Sequence, residues 1–296
     1  MNAEEPKGLF FFARFPNGEN EDRSPSNLRS KKKIIRTVIL TIFGITSLII
    51  AIILLEWYLS SNQIPKSKMP LPSEVFNYLK TDLTVRNRFH QQNLLVKTME
   101  SLQDAFWGFS ISIILGSLIG IAYAKLSIFK NMTRPLLFMI QLLPVPAFAP
   151  VIAAIFGYDS TAKILIIVMF TIYPVVATIE HSVRSIPSDY YSLTRSFNSN
   201  RMTTIKTLVL PGIVPKLFTS MRIISTAAFT GSIIAELPLP ITRGIGKDLY
   251  NSYNNQLHIR VWSSLLMIGI VGLIFYISVT ILGNFFQKKY KYGEFE

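Results

Sequence analysis

The sequence predicts an all-α, polytopic membrane fold with about six transmembrane helices, and three observations carry that prediction. Half of the 296 residues are hydrophobic and only 16% are charged, too few to solvate an ordinary surface. The apolar residues are not dispersed: no charged side chain lies between Arg36 and Glu56, Asp104 and Lys125, Arg134 and Asp159, or Arg260 and Lys288. Each run reaches the roughly 20 apolar residues that cross a hydrocarbon core of about 30 Å. Two further spans are expected from Thr161 to Ile179, with Lys163 at its edge, and from Leu217 to Leu237, with Arg222 inside it. Basic side chains near helix ends snorkel to the headgroups, so neither disqualifies its span. Lastly, Lys and Arg concentrate between alternate runs, as the positive-inside rule requires.

A net charge of +13 in a soluble protein would point to nucleic acid. Here its distribution points to topology, with the lipid bilayer as partner and no nucleic acid. A cytoplasmic N-terminus puts the tail 1–36, the loop 125–134, the loop 180–216 and the tail 288–296 inside, and these hold most of the basic residues. The outer segment near 57–104 is also basic, but long translocated segments weigh little in the rule. Both termini are therefore expected in the cytoplasm.

Taken in order, residues 1–36 form a polar tail with Pro6, Pro16, Gly18 and Pro25. The run Arg29 to Lys33 closes it as a topology anchor. The first span, 37–57, is longer than a signal-peptide core and lacks a small-x-small cleavage site, so it reads as a retained helix. An outer segment, 58–100, opens with Pro65, Pro70 and Pro72, and Ser73 is expected to cap a short helix over Glu74–Leu79. The core, 101–287, follows. Its first helix carries Gly108, Ser112, Gly116 and Gly120 at every fourth position, a stripe along which another backbone can approach closely. The next holds Pro144, Pro146 and Pro150, each lacking a backbone donor, so that helix should be kinked or broken. Broken backbone at membrane depth needs protein or a water-filled cavity beside it, which makes the segment a candidate lining for a passage.

Catalytic chemistry finds no support. There is no cysteine, which removes disulfides and thiol chemistry. His90, His181 and His258 fall in separate loops without a carboxylate at metal-ligand spacing, so no metal site is expected. No Gly-rich loop ending in Lys-Ser or Lys-Thr appears, so the chain should bind no cofactor and hydrolyse no nucleotide itself. Arg222 and Glu236 alone are candidates for intramembrane charge; both read better as interfacial anchors, although Glu236 is retained beside the three prolines as a candidate for the path.

The inner loop of about 181–216 is the most informative stretch. After Pro187, Ser188 is positioned to cap a helix whose Tyr190, Leu193 and Phe197 share a face. Asn198 suits the left-handed residue that ends a helix, and Asn200 the cap of a second one. In that second helix Met202, Ile205 and Val209 form a stripe before Leu210-Pro211 stops it. The two amphipathic helices make a docking element.

The run Ser192 to Asn198, followed by Leu208-Val209-Leu210-Pro211-Gly212, resembles the coupling loop of permease subunits of binding-protein-dependent ABC importers. The family pattern is Glu-Ala-Ala, three residues, Gly, about nine residues, then Ile-x-Leu-Pro. Ser192 and Thr194 stand at the Glu and second Ala positions, and Asn198 stands for Gly. The stretch Leu143 to Pro150, Phe156-Gly157, Ala235-Glu236 and Gly244-Ile245-Gly246 is similar to the nitrate/sulfonate/taurine branch. The resemblance implies a type I importer permease fold, and a coupling loop in which Tyr191, Ser192, Thr194, Arg195, Asn198, Leu210, Pro211 and Gly212 meet a cytoplasmic ATP-binding subunit. It further implies ATP and Mg on that partner, an extracytoplasmic solute-binding protein, a second permease copy as homodimer or related heterodimer, and small anions or pyrimidine precursors as substrates. Two rivals remain: a secondary transporter without an ATPase, and a membrane scaffold that moves no solute.

Overall fold

The computed structural model describes residues 69–84, 93–241 and 243–289, most of 50–61, and scattered positions from 43 onward. The tail 1–36 with its basic run, most of the first expected span, Pro65, His90 and the tail beyond 289 lie outside the described residues. The chain divides into two units, Met1–Tyr58 and Leu59–Glu296. A helix α1, Ile50–Ser61, runs through the end of the first.

In the second unit the regular secondary structure of the described residues is all helical. The helices are α2 Pro72–Thr84, α3 Leu94–Lys125, α4 Ser127–Leu142, α5 Val145–Phe156, α6 Ser160–Arg184, α7 Ser188–Ser196, α8 Arg201–Thr204, α9 Leu210–Glu236, α10 Ile245–Asn254 and α11 His258–Lys289. Among the described residues four helical runs are long and apolar enough to cross a membrane: α3, α6, Arg201–Glu236 and α11. The pair α4 and α5, bent by 109°, makes a fifth if it counts as one span.

Close approach of α3 and α6 organises the core. A Cβ on Gly108 would lie 2.5 Å from Ile167 Cγ2, and on Gly116 or Gly120 it would lie 2.7 Å from Val175 Cβ or Ile179 Cβ. Between them, Ser112 and Thr171 share a hydrogen bond of 2.6 Å. Two four-residue periods therefore run in register, 108/112/116/120 against 167/171/175/179, as small residues allow in lipid. Around this seam Phe109, Ile213, Ile224, Phe229, Met267, Val271 and Phe275 close one hydrophobic cluster.

Short α2 and α10 are bonded to the beginnings of the long helices. Asp82 of α2 accepts the Leu94 N–H at 2.7 Å, at the start of α3. Arg260 of α11 donates twice to Asp248 of α10, at 2.8 and 2.9 Å.

Several boundaries differ from expectation, each for a local reason. The stretch 125–134 is not a loop: α3 turns into α4 at Leu126 alone. The third span breaks at Leu143-Pro144. Pro146 sits in the first turn of α5, where its missing donor costs nothing, and Pro150 lies inside α5 without ending it. Ser73 lies within the first turn of α2, and it is Glu74 that reaches back to accept the Leu71 N–H at 3.3 Å. His181 belongs to the last turn of α6 and His258 opens α11, so neither sits in a loop.

Candidate functional site

The stretch from Pro187 to Gly212 is built by backbone chemistry. Pro187 enters α7 with φ −58° and ψ 144°, and no side chain caps the helix. Ser188 is already its first residue, its hydroxyl turned to Asp189 at 3.4 Å, so the preset proline φ and not a serine cap starts this helix. At the far end Asn198 has φ 47°. Its N–H donates to Arg195 O at 2.8 Å, and the Ser199 N–H donates to Thr194 O at 3.1 Å. These two bonds, one spanning the other, are the Schellman arrangement that ends a helix on a left-handed residue. Asn200 then accepts the Thr203 N–H at 2.8 Å and starts α8.

The second helix is not stopped at Leu210-Pro211. A π-turn over Ile205–Val209 joins α8 to α9 without interruption, and the Leu210 N–H reaches Ile205 O. A widened turn relieves the clash that the Pro211 ring would make with the preceding turn. Gly212 faces Ile186, where a Cβ would come within 3.0 Å of Ile186 Cδ1, so the α6–α7 corner packs on the start of α9.

Phe197 is 75% exposed and Met202 60%, with Leu193 and Tyr190 also exposed. Ser192, Arg195 and Asn198 are exposed, whereas Thr194 is half-buried. Tyr191 packs against the main cluster, and burial pushes its phenol above the ordinary tyrosine range. This stretch thus presents an apolar, uncovered surface at one end of a rigid helix.

The far end of the same helix reaches a buried polar network that the sequence reading missed. Glu236, the last residue of α9, and Lys163 of α6 are 0% and 1% exposed. Neither is an interfacial anchor. The Lys163 ammonium pairs with Asp104 of α3 and with Glu236, the latter at 3.2 Å. Ser101 of α3 donates to Glu236 at 2.7 and 2.9 Å. The N-terminus of α10 closes over this cluster. The Gly244, Ile245 and Gly246 N–H groups donate to Glu100, Ser101 and Glu236, at 2.9, 2.9 and 2.8 Å. Gly244, at φ 95°, leaves no room for a side chain: a Cβ there would overlap the Glu236 carboxyl at 2.2 Å. Carboxylates at a helix N-terminus also face its favourable dipole end.

Pro144 and Pro146 are exposed, and Pro150 is half-buried. Ala149 and Ala153, their neighbours on α5, share a cluster with Ala235. The structure thus brings the broken span beside the turn that carries Glu236, while the carboxylate itself bonds α3, α6 and α10. Arg222 is half-buried and donates to Asn284 of α11 at 2.6 Å. The signal for Asp104 and Lys163 was present in the sequence: both bound apolar runs.

Residues 112–292 match the profile of the binding-protein-dependent transport system inner membrane component. The chain is 25% identical over 255 residues to the bicarbonate transport system permease protein CmpB of Synechococcus elongatus, covering 84% of this chain and 90% of that one. It is 26% identical over 183 residues to the nitrate import permease protein NrtB of Leptolyngbya laminosa, covering 62% and 65%. Over 198 residues it is 23% identical to the putative aliphatic sulfonates transport permease protein SsuC of Bacillus subtilis, covering 66% and 71%. A chain of the MetNI methionine ABC transporter, in an inward-facing conformation, superposes with a TM-score of 0.56 at 15% identity, covering 64% of this chain and 95% of that one. A chain of a bacterial ABC transporter that imports alginate gives 0.54 at 13% identity, covering 86% and 98%. At such identities these two likenesses show the fold.

Proposed function

Because the chain belongs to the family of binding-protein-dependent transport inner membrane components, and is thus a multi-pass, non-catalytic ABC importer permease, we propose that its α7–α8 element docks a cytoplasmic ATP-binding subunit that drives import of a small anion. The observation that carries this reading is the continuity of Arg201–Glu236. The helix that leaves the exposed apolar element runs on through the membrane core, so a displacement imposed at α7–α8 is delivered to the packed spans. Tyr191, Ser192, Thr194, Arg195 and Asn198 form the docking surface, and Leu210, Pro211 and Gly212 anchor it to α9. The bent α4–α5 span, with Pro144, Pro146 and Pro150, lines the path, and Glu236 lies at its flank.

ATP and Mg belong to the partner. ATP binding closes a pair of such subunits, and two permease copies switch between inward-open and outward-open states while an extracytoplasmic binding protein delivers the solute. Both termini and α7–α8 are cytoplasmic, and α2 and α10 are outside. The relatives named for bicarbonate, nitrate and sulfonates support the anion class.

Reconstitution tests the proposal. The chain, with its cognate ATPase and binding protein, is placed in proteoliposomes, and uptake of labelled bicarbonate, nitrate or an alkanesulfonate is measured. Uptake that requires internal-face ATP and the binding protein is the expected result. Uptake driven by an ion gradient without ATP would show a secondary transporter instead.

A further inference from the structure

Between α4 and α6 lies a groove of about 530 Å³, lined by Lys130, Asn131, Arg134, Pro135, Phe138 and Tyr173. No carboxylate lines it. Lys130 and Arg134 stand four residues apart on α4 and so share a face. Glu180 of α6 is a negative group beside these cations, and it is already engaged. Lys130 meets it at 2.6 Å and Arg184 at 3.0 Å, while Arg134 acts on it through charge alone. Three cations thus surround one carboxylate. Among the described residues Arg134 makes no hydrogen bond or ion pair, and its side chain is exposed.

The surplus charge adjoins aromatic surface. Tyr173 lies about 10 Å along α6 from Glu180, at 1.5 Å rise per residue, and its ring packs on Phe138 at 5.6 Å. Tyr173 and Phe138 therefore give the groove an aromatic wall beside its two cations. A positive surplus beside that wall favours an anion as its partner.

We propose that this groove is an oxyanion-binding site. The Arg134 guanidinium offers a planar fork that matches two oxygens of one oxyanion. Lys130 adds a charge, and the Asn131 amide and Tyr173 hydroxyl add neutral donors. Two sources share this chemistry: the phosphate of an anionic lipid at the membrane surface, and a free oxyanion of the transported class. The inference rests on the membrane-permease reading, but binding is measurable without transport, so its failure and the failure of ATP-driven import are separate results.

The full-length chain is purified with the subunits that accompany it, and its melting is followed at fixed pH and ionic strength. One arm adds dioleoylphosphatidylglycerol against dioleoylphosphatidylcholine. The other adds sodium nitrate, bicarbonate or ethanesulfonate against sodium chloride in lipid-free detergent. At least one oxyanion arm should raise the melting temperature of the native protein. Arg134→Gln should weaken that response about tenfold, as loss of a charged bidentate contact does, and Met132→Gln on the same helix should not. Arg134→Lys, which keeps the charge and loses the fork, should fall between. A response to the anionic lipid alone assigns a headgroup site; a response to small anions assigns a solute site. If neither arm stabilises the native protein, or Arg134→Gln responds like it, the site is refuted.

Discussion

At the scale of single residues, Lys163 carries the largest expected consequence. It is the shared partner of two buried carboxylates, so Lys163→Met alone leaves both without a counter-charge and should cost about 3–5 kcal/mol. Neutralising the set together, Asp104→Asn with Lys163→Met and Glu236→Gln, removes the repulsion along with the attraction. The triple variant should recover most of that loss, and thermal melting in detergent would compare the two. A triple variant no more stable than Lys163→Met would show that the charges do not act as one unit. Asn198 offers a second residue-level test. Its φ of 47° is freely taken by glycine, so Asn198→Gly should retain the partner ATPase in a pull-down. Asn198→Val should insert normally but strain the turn by about 1–2 kcal/mol, and it should lose the ATPase or its coupling to uptake. The left-handed turn at Asn198 and the Asn200 cap were legible in the sequence because each depends on one side chain and its neighbours. The pairing of Lys163 was not. Local sequence shows a lysine at the edge of an apolar run, and only the fold shows that residues 104 and 236 meet it there.

At the scale of elements, the α3–α6 seam makes the sharpest demand. Gly116→Leu must displace Val175, whose Cβ would lie 2.7 Å from the new Cβ, and folded yield should fall steeply. Ile114→Leu, at a position 62% exposed on the same helix, should be tolerated; equal yields would show that the seam is not close-packed. The stripe on α3 could be read from spacing, whereas its partner stripe on α6, made of Ile167, Thr171, Val175 and Ile179, is chemically unlike it and carries no such signature. The start of α3 was misread for a related reason: Asp104 was taken as the edge of an apolar run because charges usually mark one, but α3 begins at Leu94 and Asp104 pairs with Lys163 inside the bundle. The π-turn at Ile205–Val209 was hidden by Pro211, which in sequence reads as a stop.

At the scale of the molecule, the absence of cysteine gives a clean test of orientation. A cysteine at exposed Ser196 should resist an impermeant thiol reagent in intact cells, and one at Tyr253, 64% exposed on α10, should react. The reverse pattern would invert the topology. That long apolar helices dominate the chain was legible in composition, since membrane thickness sets their length; their mutual packing required the fold. One feature ties the two ends of the protein together. The run Arg201–Glu236 is 36 residues long, roughly 54 Å at 1.5 Å per residue. Treated as a stiff lever pivoting at Arg201, it would carry the Glu236 carboxylate about 5 Å sideways for a tilt of only about 5°. That sweep exceeds the reach of any hydrogen bond in the network around Lys163. The angular tolerance of the rod is therefore set at its distal tip: either the tilt stays below a few degrees, or α3, α6 and α10 must travel with it as one body.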